Sequence, residues 1–406
     1  MKTMIVLMLA MLAVPMAYAD QNNLVAPSCV VEGKVVCLLE TSKRTQLPNG
    51  LAHYEWTLKV GPGQFDRIGL HRIVKEWRPY SPLGTTQATM LVHGDAYGFG
   101  AFIASLQSQV VPHDQSIAVQ MAISGIDVWG IDLRWTRVPA NTTNLNFMAN
   151  WGVDVDLKDL DIAVNFTRNF RRYEGSIDRQ LNLLGWSRGG QLGYLYLAKE
   201  TQKQPLKRNI KSFIPVDILL KTDNDTIRQS ACTYSDLLRS QIANGQYYDD
   251  SGLATQNIAA LAQFLPDEDS PIMPGLTNRQ VALLFLSSTY LLVPPGTAGT
   301  PWYHFNGGKF DDTGLPADLA FTSLDYMYEY AAGAAPYEPI RMILEINDVT
   351  CGTSTRALDR YLGNIRVPIL YVYGAGGFGK AGLYTTRLTA SRDISSIGVQ
   401  LYPDEL

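Results

Sequence analysis

Residues 181–190 read Leu-Asn-Leu-Leu-Gly-Trp-Ser-Arg-Gly-Gly, a short apolar run that breaks into Gly185-Trp186-Ser187-Arg188-Gly189. The leucine-rich half predicts a buried strand, and the glycines around Ser187 predict a sharp turn into a helix. Gly185 and Gly189 remove side chains that would collide in such a turn, and Gly190 adds further room. A serine at the apex exposes its hydroxyl as a nucleophile. The expectation is ester hydrolysis with Ser187 as the attacking group; the alternative is an ordinary serine at a strand end.

The flanking sequence alternates strands with helices. Met90-Leu91-Val92 reads as a buried strand ending at His93-Gly94, and Ile126 to Asp132 as the next. Asp156 to Phe170 carries apolar residues at 157, 160, 162, 163, 166 and 170, mostly compatible with one helix face. The run after Gly189 reads as a helix, Ser212 to Leu220 as a strand, and Val367 to Tyr373 as a late strand. Tyr54 to Val60 and Phe65 to Val74, joined by Gly61-Pro62-Gly63, predict antiparallel strands at a sheet edge. The pattern is that of an α/β protein: a mostly parallel central sheet flanked by helices, with catalytic loops at the strand carboxyl ends.

The 406 residues, 46% of them hydrophobic, can bury a large core, and the net charge of −4 with no long basic tract argues against nucleic acid as a partner. Residues 1–19 read as a signal peptide: Lys2, an apolar run from Met4 to Met16, then Ala17-Tyr18-Ala19. That predicts a secreted or periplasmic protein with no membrane span after cleavage. Export makes the four cysteines worth reading as pairs, of which three pairings are possible. A local staple from Cys29 to Cys37 around Gly33 is the first choice, leaving Cys232 and Cys351 for a long-range bridge. Clustered Cys/His spacing of the zinc type is absent from the sequence, and neither metal nor cofactor is expected.

The expected layout is an N-terminal hairpin and core over 20–220, an inserted and largely helical cap over 221–339, and a return to the core over 340–406. Within 221–339 the pattern shifts to helical stretches and aromatic-rich loops, including Pro301-Trp302-Tyr303-His304-Phe305. The alternative is a helical extension of the core. As a cap, the segment would line an apolar acyl or aryl pocket with Trp302, Tyr303 and Phe305.

From about Gly50 to the carboxyl end, the chain resembles the α/β-hydrolase superfamily, particularly secreted serine esterases and lipases with an inserted cap. The resemblance rests on Leu-Val-His-Gly-Asp-Ala-Tyr-Gly at 91–98, Gly-Ile-Asp-Val-Trp-Gly-Ile-Asp-Leu-Arg at 125–134, the serine turn at 185–189, and Val-Pro-Ile-Leu-Tyr-Val-Tyr-Gly at 367–374. It implies an acyl-enzyme mechanism with an oxyanion hole built from the backbone N–H groups of Arg188 and Asp95. His93 and Gly94 then support that loop, His93 as an ordering residue. The Arg188 side chain is expected in a salt bridge at the surface or core edge.

The resemblance also implies an acid on the loop after the late strand, yet Gly374-Ala375-Gly376-Gly377-Phe378-Gly379 holds no carboxylate. Asp393 is the first choice, read as leading a helix before a last strand; Asp217, after the preceding strand, is the alternative. The implied base is a histidine beyond one further strand, and none of His53, His71, His93, His113 and His304 stands there. The expectation is therefore a chain incomplete at its carboxyl end and impaired as given, with His304 reaching in from the cap as the lesser option. The expected substrate is a small apolar acyl or aryl ester; an amide or lactone hydrolase, or an inert binding protein on the same scaffold, are the alternatives.

Overall fold

The computed structural model describes residues 29–31, 33–176, 180–286, 308–312, 315–319, 322–374 and 377–399. Nine strands form the central sheet: β1 Leu38–Gln46, β2 Leu51–Lys59, β3 Arg67–Arg78, β4 Ala88–Val92, β5 Asp127–Asp132, β6 Leu181–Trp186, β7 Ile210–Val216, β8 Ile369–Gly374 and β9 Ile394–Val399. A short Ser81–Pro82 strand pairs beside β3. The spatial order is β1-β2-β3-β5-β4-β6-β7-β8-β9. The pairs β1/β2, β2/β3 and β3/β5 are antiparallel, and the remaining neighbours run parallel.

Parallel strands covered on both faces must be apolar on both, and these are. In β4, Met90 and Val92 enter one core cluster while Leu91 enters another; β5 divides Trp129 and Val128 in the same way, and β6 divides Leu183 and Leu184. The first face carries α2 Val153–Tyr173, α3 Arg188–Glu200 and α8 Ile340–Cys351; the second carries α1 Ile117–Ile123 with Phe99, Phe102 and Ile103. The chain passes from β4 to β5 on one side, then crosses through α2 to β6 on the other side of β4. That reversal opens a crevice at the carboxyl ends of β4 and β6.

Between β7 and β8 lie α4 Asp225–Ala243, α5 Ser251–Phe264, α6 Asn278–Leu286, α7 Leu324–Ala332 and then α8. Helices α5, α6 and α7 share an apolar cluster of their own, with Ile258, Val281, Leu283, Met327 and Ala331 at its centre. Two disulfides are formed, Cys29–Cys37 and Cys232–Cys351, the second joining α4 to α8. Among the described residues no helix is long and apolar enough to cross a membrane. Residues 1–19, expected to be a signal peptide, and the Trp302–Phe305 cluster, with His304, lie outside the described residues.

The carboxyl segment departs from expectation. Residues 394–399 do not form a helix preceding a last strand; they are the edge strand β9 itself, parallel to β8 in the register Ile369↔Ile394 to Gly374↔Val399. The intervening chain supplies a short helix, α9 Leu383–Arg387. At the other edge, β1 is a strand that the sequence reading did not foresee.

Candidate active site

Ser187 follows β6 directly and precedes α3, with φ 51° and ψ −123°. A non-glycine residue in that region is strained, so the surroundings must hold it there. They do so by close backbone approach. A side chain at Gly189 would come within 2.1 Å of the Val92 carbonyl oxygen, and one at Gly185 within 2.3 Å of the Gly189 carbonyl oxygen. A Cβ at Gly94 would lie 2.9 Å from Ser187 Cβ. The loop after β4 is thereby pressed against the serine turn, which a side chain at Gly94 or Gly189 would prevent, while one at Gly185 would collide within the turn itself. Ser187 N–H donates to the Val216 carbonyl at 2.9 Å, fixing the turn to the end of β7.

Arg188 opens α3, so its N–H is among the first-turn donors that lack an intrahelical acceptor. The Asp95 N–H, in the loop against Ser187, likewise has no backbone acceptor among the described residues. These are the two donors expected for an oxyanion. Their side chains are joined as well: Arg188 Nε donates to Asp95 Oδ1 at 2.7 Å and Nη2 to Oδ2 at 3.0 Å. Arg188 Nη1 donates to Gln191 Oε1 at 3.1 Å. The expected salt bridge is therefore present, but buried, with the arginine 9% exposed. A bidentate pair of this kind fixes orientation as well as distance.

Glu338, just before α8, completes this cluster and had no signal in the sequence. Burial and the adjacent Asp95 carboxylate push Glu338 well above the usual carboxylate range, which favours its protonated form as a donor toward Asp95. Burial opposes the charge on Asp95, yet Arg188 and the Glu338 hydrogen bond hold that carboxyl below its ordinary value.

His93 is tied by hydrogen bonds to the loop after β4 and to the end of β5. Its Nε2 accepts the Leu133 N–H at 3.2 Å, and Nδ1 pairs with the Gly94 carbonyl at 2.9 Å, so both ring nitrogens are committed to the loop. Burial pushes its pKa down, and its ring meets Trp135 edge-on at 5.2 Å. Among the described residues Ser187 Oγ has no hydrogen-bond partner, and none of His53, His71, His93 and His113 is bonded to it.

The two candidate acids fall at opposite ends of the sheet. Asp393 stands at the amino end of β9, where its carbonyl accepts the Ile369 N–H at the start of β8. Along a six-residue strand that is roughly 17 Å from the carboxyl ends where Ser187 sits. This register sets Asp393 at the end of the sheet away from Ser187. Asp217 follows Val216 at the carboxyl end of β7, paired in register with Trp186 of β6, and takes φ 43°. Its Oδ1 accepts the N–H groups of Gly374 at 3.1 Å and Gly379 at 3.4 Å. A side chain at Gly377 would come within 2.1 Å of Asp217 Oδ2. The carboxylate-free loop after β8 thus curls around a carboxylate from the neighbouring strand. Burial raises Asp217 above its ordinary value, against the opposing pull of the Gly374, Gly379 and Phe378 N–H groups.

Aromatic side chains gather around Trp186, the residue before the serine. Trp186 lies near Tyr97 and Phe102, at ring separations of 6.3 and 6.4 Å, and Tyr97 packs on Tyr330 of α7 at 4.6 Å.

No protein-family model and no curated protein matches the chain. Among solved structures, a protein from Sulfolobus solfataricus provisionally described as a lipase aligns with a TM-score of 0.59 and 19% identity, over 89% of this chain and 92% of that one. A soluble variant of monoglyceride lipase from Saccharomyces cerevisiae aligns at 0.42 and 14%, over 82% and 83%. An epoxide hydrolase from Vigna radiata aligns at 0.42 and 11%, over 89% and 91%. The last two scores are too low to carry weight, whereas the first, taken with the strand order and the serine turn after β6, identifies the architecture. The chain has the α/β-hydrolase fold.

Proposed function

We propose that the protein is a serine hydrolase that cleaves small apolar acyl or aryl esters through an acyl-enzyme. The observation that carries this reading is the strained backbone of Ser187, held between two strands and a helix by three glycines. Strain of this order, about 1–3 kcal/mol, persists where the surroundings over-determine it, and it aims a hydroxyl into the crevice at the sheet's topological switch point.

In this reading Ser187 attacks the ester carbonyl, and the Arg188 and Asp95 N–H groups receive the developing oxyanion. Asp217, in preference to Asp393, orients the imidazole of the base, since it stands at the carboxyl end of β7 beside the serine turn. The base itself is a histidine from outside the described residues, and His304 is such a residue. The segment 221–339 serves as a cap, and Trp186, Tyr97 and Tyr330 favour an apolar group beside the serine. The disulfides fit an exported protein.

The test is covalent labelling by a fluorophosphonate probe together with turnover of p-nitrophenyl esters. Labelling at Ser187 and hydrolysis, both lost in Ser187→Ala, is the expected result. A folded protein that neither labels nor turns over any ester of the series would remove this reading in favour of a binding scaffold.

A further inference from the structure

A second cluster of reactive side chains lies on the antiparallel strands, away from Ser187. His53 and Glu55 are two apart on β2 and so share a face, and Glu55 stands directly opposite His71 on β3. His53 Nε2 is 3.1 Å from His71 Nδ1. One donor atom from each of His53, Glu55 and His71 lies within 4.8 Å of the others. All three line a cleft of about 830 Å³ whose far side is formed by the 329–335 stretch and Tyr97; Ser187 is not part of its wall.

We propose that His53, Glu55 and His71 bind one divalent transition-metal ion of the zinc type. Two imidazoles and one carboxylate are a donor set that zinc takes at about 2.0–2.2 Å per ligand, leaving a fourth position toward the cleft. Two nitrogens at such distances from one ion in tetrahedral geometry are roughly 3.3 Å apart, close to the separation between the two rings. The rings meet nearly end to end, with centroids 5.3 Å apart, so coordination takes a modest swing of both toward Glu55. Nitrogen donors and the small ligand number select against magnesium and calcium.

An outer carboxylate points the same way. Asp132, the last residue of β5, has Oδ2 2.9 Å from His71 Nε2. It is held in turn by the Phe99 N–H at 2.7 Å. That contact places the His71 proton on Nε2 and turns the Nδ1 lone pair to His53, the carboxylate–histidine arrangement found behind metal ligands. On binding, His53 moves its proton from Nε2 to Nδ1 and no proton is lost. Lys43 Nζ, 3.2 Å from Glu55 Oε2 and largely exposed, is displaced into solvent.

The proposal does not rest on the reaction proposed for Ser187, and Tyr97 and Tyr330, named beside the serine above, also line this cleft. The site is tested by calorimetric titration of zinc chloride into untagged, chelator-stripped protein, with excess magnesium present. The expected result is one zinc per chain, binding weakened 10- to 100-fold in Asp132→Asn and at least tenfold in Glu55→Gln. It should be abolished in His71→Ala. Glu55 is half-exposed, so Glu55→Gln keeps its fold and serves even where the histidine variants do not. A zinc-dependent rise in Tm, smaller in Glu55→Gln, is the second readout. No binding by the wild type, or binding in Glu55→Gln and Asp132→Asn as strong as in the wild type, overturns the site.

Discussion

At the scale of single residues, Ser187, Asp217 and Gly189 make separable predictions. Ser187→Ala should lower kcat/KM by roughly 10⁴–10⁶ while leaving the melting curve unchanged or raised, since it removes the nucleophile and no hydrogen bond. Asp217→Asn should cost on the order of 10³–10⁴ in kcat, because an amide cannot hold the imidazole in its productive tautomer; Asp393→Asn should be near wild type. Near-normal turnover for Asp217→Asn would reverse that assignment. Gly189→Ala drives a methyl into the Val92 carbonyl and should destabilise the fold by about 1–3 kcal/mol or more in urea unfolding. Ser187, its glycines, Asp95, Arg188 and His93 were legible because a tight turn demands particular residue types in a fixed local order. Asp217 was legible only as an alternative, since its claim depends on which strand ends are neighbours. Glu338 left no mark on the sequence: a lone Glu-Pro pair does not say that it will be buried against Asp95.

At the scale of elements, the cluster linking the β4 loop, α3 and the start of α8 should respond to pH. Glu338 has a folded-state pKa raised above its ordinary 4.5, so the stability it contributes is full below that value and is lost as pH rises through the raised pKa. Thermal melts at rising pH from 4.5 upward should show this loss in the wild type and a flatter curve in Glu338→Gln, which keeps a donor to Asp95. Identical pH profiles would sink the idea. Because the Asp95 N–H is an oxyanion donor in the proposed mechanism, kcat should fall over the same interval. The parallel strands β4 to β8 and helix α2 were foreseen from apolar runs and period, with ends that shift by a few residues. Strand β9 was not. Its apolar residues at 394, 397 and 399 include the i, i+3 spacing of a helix, and all six residues are exposed on an edge, so no buried face imposes alternation. The His53–Glu55–His71 grouping was illegible for another reason: the residues lie up to 18 apart, and only the hairpin register brings them together.

At the scale of the molecule, β1 to β3, the parallel sheet and the helical segment after β7 are joined by buried charge as well as apolar packing. Arg72 of β3 pairs with Asp127 of β5 and with Glu174 after α2. The substrate prediction also belongs here: if the helical segment covers the serine, each added acyl methylene should improve kcat/KM by up to about 0.8 kcal/mol, close to fourfold, until the pocket is filled. A flat profile from acetate to octanoate esters counts against it. Replacing Cys232 and Cys351 together with alanine should cost about 2–5 kcal/mol, because the bridge closes a long loop in the unfolded chain; urea titration with and without reductant measures it. The same bridge has a consequence for how the protein survives damage. A protease that cuts anywhere between the two cysteines, which lie 119 positions apart, produces two pieces that remain sewn together, one holding Cys232 and the other Cys351. A nicked molecule therefore runs as one band on a non-reducing gel and as two after reduction, and it keeps α4 moored to α8 while the severed loop is trimmed away.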